Sequence, residues 1–168
     1  MKKFIAVILL GLTSTLSANA REPSIQLFTQ EEYPQHYCLS LNIYHEARGS
    51  NLADRAGVAN VVMNRTNDRR YPDTVCAVVQ QGVQDSAGNM VLHKCQFSWY
   101  CDGKDDVPTD TDMWVQSQML AWNVIEDNKY RGLTEGATHY HATYVSPNWA
   151  SELQLVGRIG AHIFYRWE

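Results

Sequence analysis

The stretch Leu39-Ser40-Leu41-Asn42-Ile43-Tyr44-His45-Glu46-Ala47-Arg48-Gly49 decides how the rest of this chain is read. At helical spacing Leu39, Ile43 and Glu46 fall on one stripe, so a carboxylate stands where the period calls for an apolar side chain. Burial in low dielectric favours the neutral acid and raises its pKa, the condition a proton donor needs near neutral pH. Gly49, just past the last turn, is expected to close the helix in the left-handed conformation, leaving Glu46 in that turn beside a cleft. On spacing alone the commoner outcome is a helix-end glutamate that pairs with Arg48 or is solvated.

Working outward, Ser50 or Asn51 can cap a second helix running to about Asn67, with Leu52, Ala56, Ala59 and Met63 on one face. Its alanines and Gly57 would let the Glu46 helix approach closely. Tyr71-Pro72-Asp73 breaks the run before a short apolar segment, Val75 to Val79. Gly82 to His93, with a turn at Ala87-Gly88-Asn89, reads as a β-hairpin. Pro108-Thr109-Asp110 opens a further helix to about Asp127, with Trp114, Ala121 and Ile125 inward. From Gly136 the period becomes two. Thr138, Tyr140, Ala142 and Tyr144 share one face, and His139, His141 and Thr143 the other. Ser146-Pro147-Asn148 is a turn, and Leu153 to Tyr165 alternates again, with Gly157 and Gly160 marking bends or bulges. Helices followed by a small antiparallel sheet make an α+β domain.

Upstream, Lys2 and Lys3 precede the apolar run Phe4 to Leu12, and Ala18-Asn19-Ala20 supplies a cleavage site, the pattern of an export signal over residues 1–20. The run is too short for a stop-transfer helix, although an uncleaved anchor is the alternative. The mature chain then begins near Arg21 with an irregular lead-in over 21–35, followed by a single domain over 36–168. A net charge of −4 argues against a nucleic-acid binder, which would show a basic face. Five Trp and nine Tyr are many, a weak sign of carbohydrate contact, since such rings are more often core.

Four cysteines in an exported chain allow three pairings. We expect Cys38 with Cys76, tying the Glu46 helix to the segment after the second helix, and Cys95 with Cys101, closing a short loop as a rigid platform. The even count in an oxidising compartment disfavours a nucleophilic cysteine with a histidine partner.

Seven segments now stand in order: Tyr44-His45-Glu46-Ala47-Arg48-Gly49, Val61-Val62-Met63-Asn64-Arg65, Tyr71-Pro72-Asp73-Thr74-Val75-Cys76, Gln96-Phe97-Ser98, Gly136-Ala137-Thr138-His139-Tyr140-His141, Pro147-Asn148-Trp149 and His162-Ile163-Phe164-Tyr165-Arg166. Together they resemble the SleB-type cell-wall hydrolase family, over nearly all of the mature chain. The resemblance implies a lysozyme-like, transglycosylase-type fold acting on peptidoglycan glycan strands, with Glu46 matching the catalytic glutamate. It implies Gln96, Phe97 and Ser98 as a cleft wall, Tyr140 near the scissile sugar, Trp149 stacked on a ring and His141 as a substrate contact. Core packing is the other reading of Phe97 and Trp149, and a structural role that of His141 and His162. Ser50 departs from the pattern, since the family often carries an acid there.

A standard hydrolase needs a second carboxylate across the cleft. Asp54, Asp102 and Asp105 are available, yet no motif places them, so the expectation is a one-acid lytic transglycosylase. It would work without cofactor or metal, as a monomer in the periplasm or outside the cell, with membrane contact only during export. Two rivals remain. His139 and His141, with His45 or His162, could form a zinc site, although the helical metalloprotease motif would need histidine at Gly49. A wall-binding module without turnover is the other.

Overall fold

The computed structural model describes residues 26–168. The expected export signal, and the lead-in through residue 25, lie outside the described residues. Among the described residues no helix is long and apolar enough to cross a membrane.

Helix α1, Pro34–Ala47, starts on a proline whose missing N–H is no loss in a first turn. It carries Leu39 and Ile43 fully buried and Glu46 half-buried, as the stripe requires. Its end differs from expectation. Gly49 is not left-handed; the Ser50 N–H bonds the Ala47 carbonyl and the chain turns at once into the next cap. Asn51 caps α2, Leu52–Thr66, by accepting from the Asp54 N–H at 3.0 Å. With the next helix only four residues away, a tightened last turn satisfies the orphan carbonyl without a glycine-type closure.

The Val75–Val79 segment is a one-turn helix, α3, capped by Thr74. Strands β1, Gly82–Gln84, and β2, Met90–Cys95, form the expected antiparallel hairpin, with Gly88 at positive φ in its turn. A 3₁₀ turn over Ser98–Cys101 follows, and then α4, Thr111–Ile125, capped by Asp110. Both expected disulfides are present: Cys38–Cys76 joins α1 to α3, and Cys95–Cys101 closes the loop after β2. The buried Tyr44 hydroxyl accepts from the backbone N–H groups of Thr109 and Asp110, pinning the start of α4 to α1.

Strands β3, His139–Ala142, β4, Gln154–Ile159, and β5, His162–Arg166, make an antiparallel sheet in the order β3-β5-β4. The expected alternation holds through Ala142 and then stops. Tyr144, expected on one face with Thr138, Tyr140 and Ala142, is 90 % exposed, because Val145 bonds back to Ala142 in a turn. Gly157 sits at a register shift, as expected of a bulge. Gly160, at φ +56°, is the turn that divides the last segment into two strands. Phe164 on β5 packs with Val61 and Ala137, joining sheet to helices. Gly57 belongs to this contact and not to the α1 interface: a Cβ there would meet the Phe164 ring at 2.7 Å. The approach to α1 is left to Ala56 and Ala59, which share one core with Leu39 and Ile43.

Candidate active site

The last turn of α1 brings Glu46 against the inner face of β3. The Tyr140 hydroxyl donates to Glu46 Oε2 at 3.0 Å, and Oε1 has no hydrogen-bond partner among the described residues. Burial raises the Glu46 carboxyl above its ordinary value; the Tyr140 hydrogen bond, His162 and Arg65 oppose that rise without cancelling it. Tyr140 itself is pushed well above 10, by burial first and then by the Glu46 charge, so it stays a donor at every working pH.

The second helix holds this strand in place. Asn64 donates to the Ala137 carbonyl at 2.8 Å, and the Arg65 Nε–H to the Thr138 carbonyl at 2.8 Å. The buried Arg65 guanidinium lies between the rings of Tyr71 and Phe97, 5.2 Å from each centroid. Its positive charge, directed at Glu46 and Tyr140, is a part of the site that no sequence signal beyond the Val61–Arg65 motif assigned a role.

The expected substrate-binding set is not gathered in one place. Gln96 and Ser98 are exposed beside the 3₁₀ turn, whereas Phe97 is only 3 % exposed and belongs to the core beneath Arg65. Phe97 therefore presents no wall to a ligand. Tyr140 stands with Glu46 on the inner face of the sheet. His141 is on the outer face, with Nδ1 bonded to the Ala142 carbonyl at 2.9 Å and Nε2 to the Tyr165 hydroxyl at 3.0 Å, so both ring nitrogens serve structure. Trp149 packs against His139, His141 and Tyr165 on that same outer face, away from the carboxylate.

The three candidate second carboxylates separate likewise. Asp54 is 0 % exposed, its oxygens taken by the Ala161 N–H at 2.9 Å and by His162 Nδ1 at 2.8 Å, and it cannot face a cleft. Asp102 and Asp105 border a concavity shared with His45, Arg48, Trp99 and Asp106. There the His45 ring stacks on Trp99 at 4.6 Å, and partial burial raises the Asp106 carboxyl. Trp99 and Asp106 thus line a concavity beside the last turn of α1, and neither stood out by spacing. As for the zinc alternative, His139 and His141 face outward, His162 faces inward onto Asp54, and His45 bonds the Asp106 carbonyl. Among the described residues no three His, Cys, Asp or Glu side chains gather closely enough to hold a metal ion.

No curated protein sequence matches. Two solved structures do: the catalytic domain of the germination-specific lytic transglycosylase SleB from Bacillus anthracis, and that of the Bacillus cereus SleB protein. The first is 21 % identical with a TM-score of 0.59, covering 84 % of this chain and 98 % of that one. The second is 24 % identical with a TM-score of 0.55, covering 79 % and 91 %. Their shared fold is the lysozyme-like α+β arrangement that the motifs implied. The sequence model of the cell wall hydrolase family matches residues 49–165, beginning three residues after Glu46, so the role of that glutamate rests on its surroundings. With well over half of its length matched and the fold shared, the chain belongs to the cell wall hydrolase family.

Proposed function

We propose that this protein cleaves the glycan strands of peptidoglycan between N-acetylmuramic acid and N-acetylglucosamine as a lytic transglycosylase, with Glu46 as acid and then base. One observation carries the reading: a half-buried carboxyl with raised proton affinity, held by a phenol on one oxygen and free on the other.

Protonated Glu46 donates to the bridging oxygen as the bond from C1 to that oxygen breaks and an oxocarbenium develops. The resulting carboxylate, steadied by the Tyr140 hydroxyl and by the charge of Arg65, takes the proton of the sugar's own 6-hydroxyl. That oxygen then bonds C1, giving a 1,6-anhydro end and returning Glu46 to its starting state. Burial and hydrogen bonding pull in opposite directions for a reason: an acid that must also serve as base needs a pKa that neither state dominates. Of the residues expected to contact the strand, Gln96 and Ser98 are exposed. In this reading the chain is exported through residues 1–20 and works outside the cytoplasm as a monomer.

The hydrolase variant of the reading draws on Asp102, Asp105 and Asp106 at the neighbouring concavity. Digestion of purified sacculi with wild type and Glu46→Gln, followed by mass spectrometry, separates the outcomes. Muropeptides lighter by one water, absent with the variant, support the transglycosylase. Ordinary reducing ends identify a hydrolase, and equal binding without release by both proteins identifies a wall-binding module.

A further inference from the structure

Behind the Tyr140–Glu46 contact lies a second buried pair that the mechanism above does not use. Asp54 on α2 accepts from His162 Nδ1 at 2.8 Å and from the Ala161 N–H at 2.9 Å. The fit is close: a Cβ on Gly160 would fall 2.7 Å from the Asp54 carboxylate, so the β4–β5 turn is built around that side chain. The His162 ring, committed to Asp54 through one nitrogen, stands edge-on to Tyr140 at 5.1 Å and 80°. Its Nε2 has no partner among the described residues.

We propose that Asp54 and His162 are positioning residues for Glu46: Asp54 fixes the imidazole, and the imidazole props the Tyr140 phenol against the carboxylate. A buried carboxylate bonded to one imidazole nitrogen fixes the orientation of the ring, and His162 opposes the burial-driven rise of the Glu46 carboxyl. The charged and titratable groups around Glu46 are Tyr140 from β3, His162 from β5 and Arg65 from α2, and His162 acts on it in the same sense as Arg65. Asp54 makes no hydrogen bond to Glu46; its side chain reaches the site through the His162 ring, and its charge acts on Tyr140 as well. The pair therefore lowers the pH at which Glu46 changes from acid to base, which rests on the proposed function only for its catalytic meaning.

The test follows the Glu46 titration by two routes, in His162→Gln, Asp54→Asn and the double variant. The first route is the alkaline limb of kcat/KM on purified sacculi. The second is the change in Tm caused by Glu46→Gln, measured across pH in each background, which needs no activity. In His162→Gln both move to higher pH, by about half a unit or more. Asp54→Asn moves them the same way, and the double variant no further than His162→Gln alone, because one effect passes through the other. If Asp54→Asn fails to fold, His162→Gln alone decides, since glutamine can still donate to Asp54. A lowered Tm with both readouts unmoved shows that the pair only fastens the hairpin, and overturns the proposal. A shift in the Tm readout with no Glu46-dependent release from sacculi retains the positioning role and rejects the enzymatic reading.

Discussion

The Tyr140 hydroxyl and the Glu46 carboxylate, 94 residues apart in the chain, meet at 3.0 Å across the junction of α1 and β3. The bond is charge-assisted when Glu46 is ionised, and it opposes the rise in pKa that burial imposes.

Tyr140→Phe removes that opposition. The Glu46 pKa rises further, the alkaline limb of activity moves to higher pH, and kcat falls about tenfold as the base form loses its donor. A pH profile of kcat on sacculi checks both; an unmoved limb shows that the phenol does not tune the acid.

Glu46→Gln should lose at least about a hundredfold in activity while gaining stability. The folded pKa lies above the unfolded value, so the carboxyl's contribution is fully present below about 4.5 and is lost as pH rises through the folded pKa. Glutamine has no charge to desolvate and can still accept from Tyr140. Its Tm should therefore exceed wild type at pH 7 and converge with it near pH 4, as differential scanning fluorimetry would record.

His139 gives the opposite sign. Burial, then Arg65 and Arg70, push it down from 6.5 to about 4. A neutral imidazole is favoured by folding, so its contribution is complete above pH 6.5 and fades as pH falls toward 4. His139→Gln should flatten this part of the Tm-against-pH curve, and an unchanged slope would assign the acid sensitivity to other groups.

Gly57→Ala should cost about 1–3 kcal/mol, since the new methyl meets Phe164 at 2.7 Å and must displace a fully buried ring. Urea denaturation measures it. If Phe164→Leu in the same background restores most of the loss, the clash is the cause.

Much of this architecture was legible in order along the chain. The Leu39, Ile43, Glu46 stripe, the Asn51 cap and the hairpin turn at Gly88 depend on neighbours a few residues away, and a sequence displays those neighbours directly. Strand parity had already separated Tyr140 from His141. Placing both at one ligand went against that parity, and the structure follows the parity, sending His141 and Trp149 to the outer face. Gly49 illustrates the reverse: a residue suited to helix closure is not used for it, because the next cap comes too soon.

What could not be read off the chain is the company Glu46 keeps. Tyr140, Arg65, His162 and Asp54 come from α2, β3 and β5, and only the packing of those elements sets their distances and excludes water between them. Local periodicity marks where an acid is buried, because burial repeats with the helix turn. Its proton affinity depends on which charges and donors lie across the interface, a sum over long-range contacts that spacing along one chain does not contain.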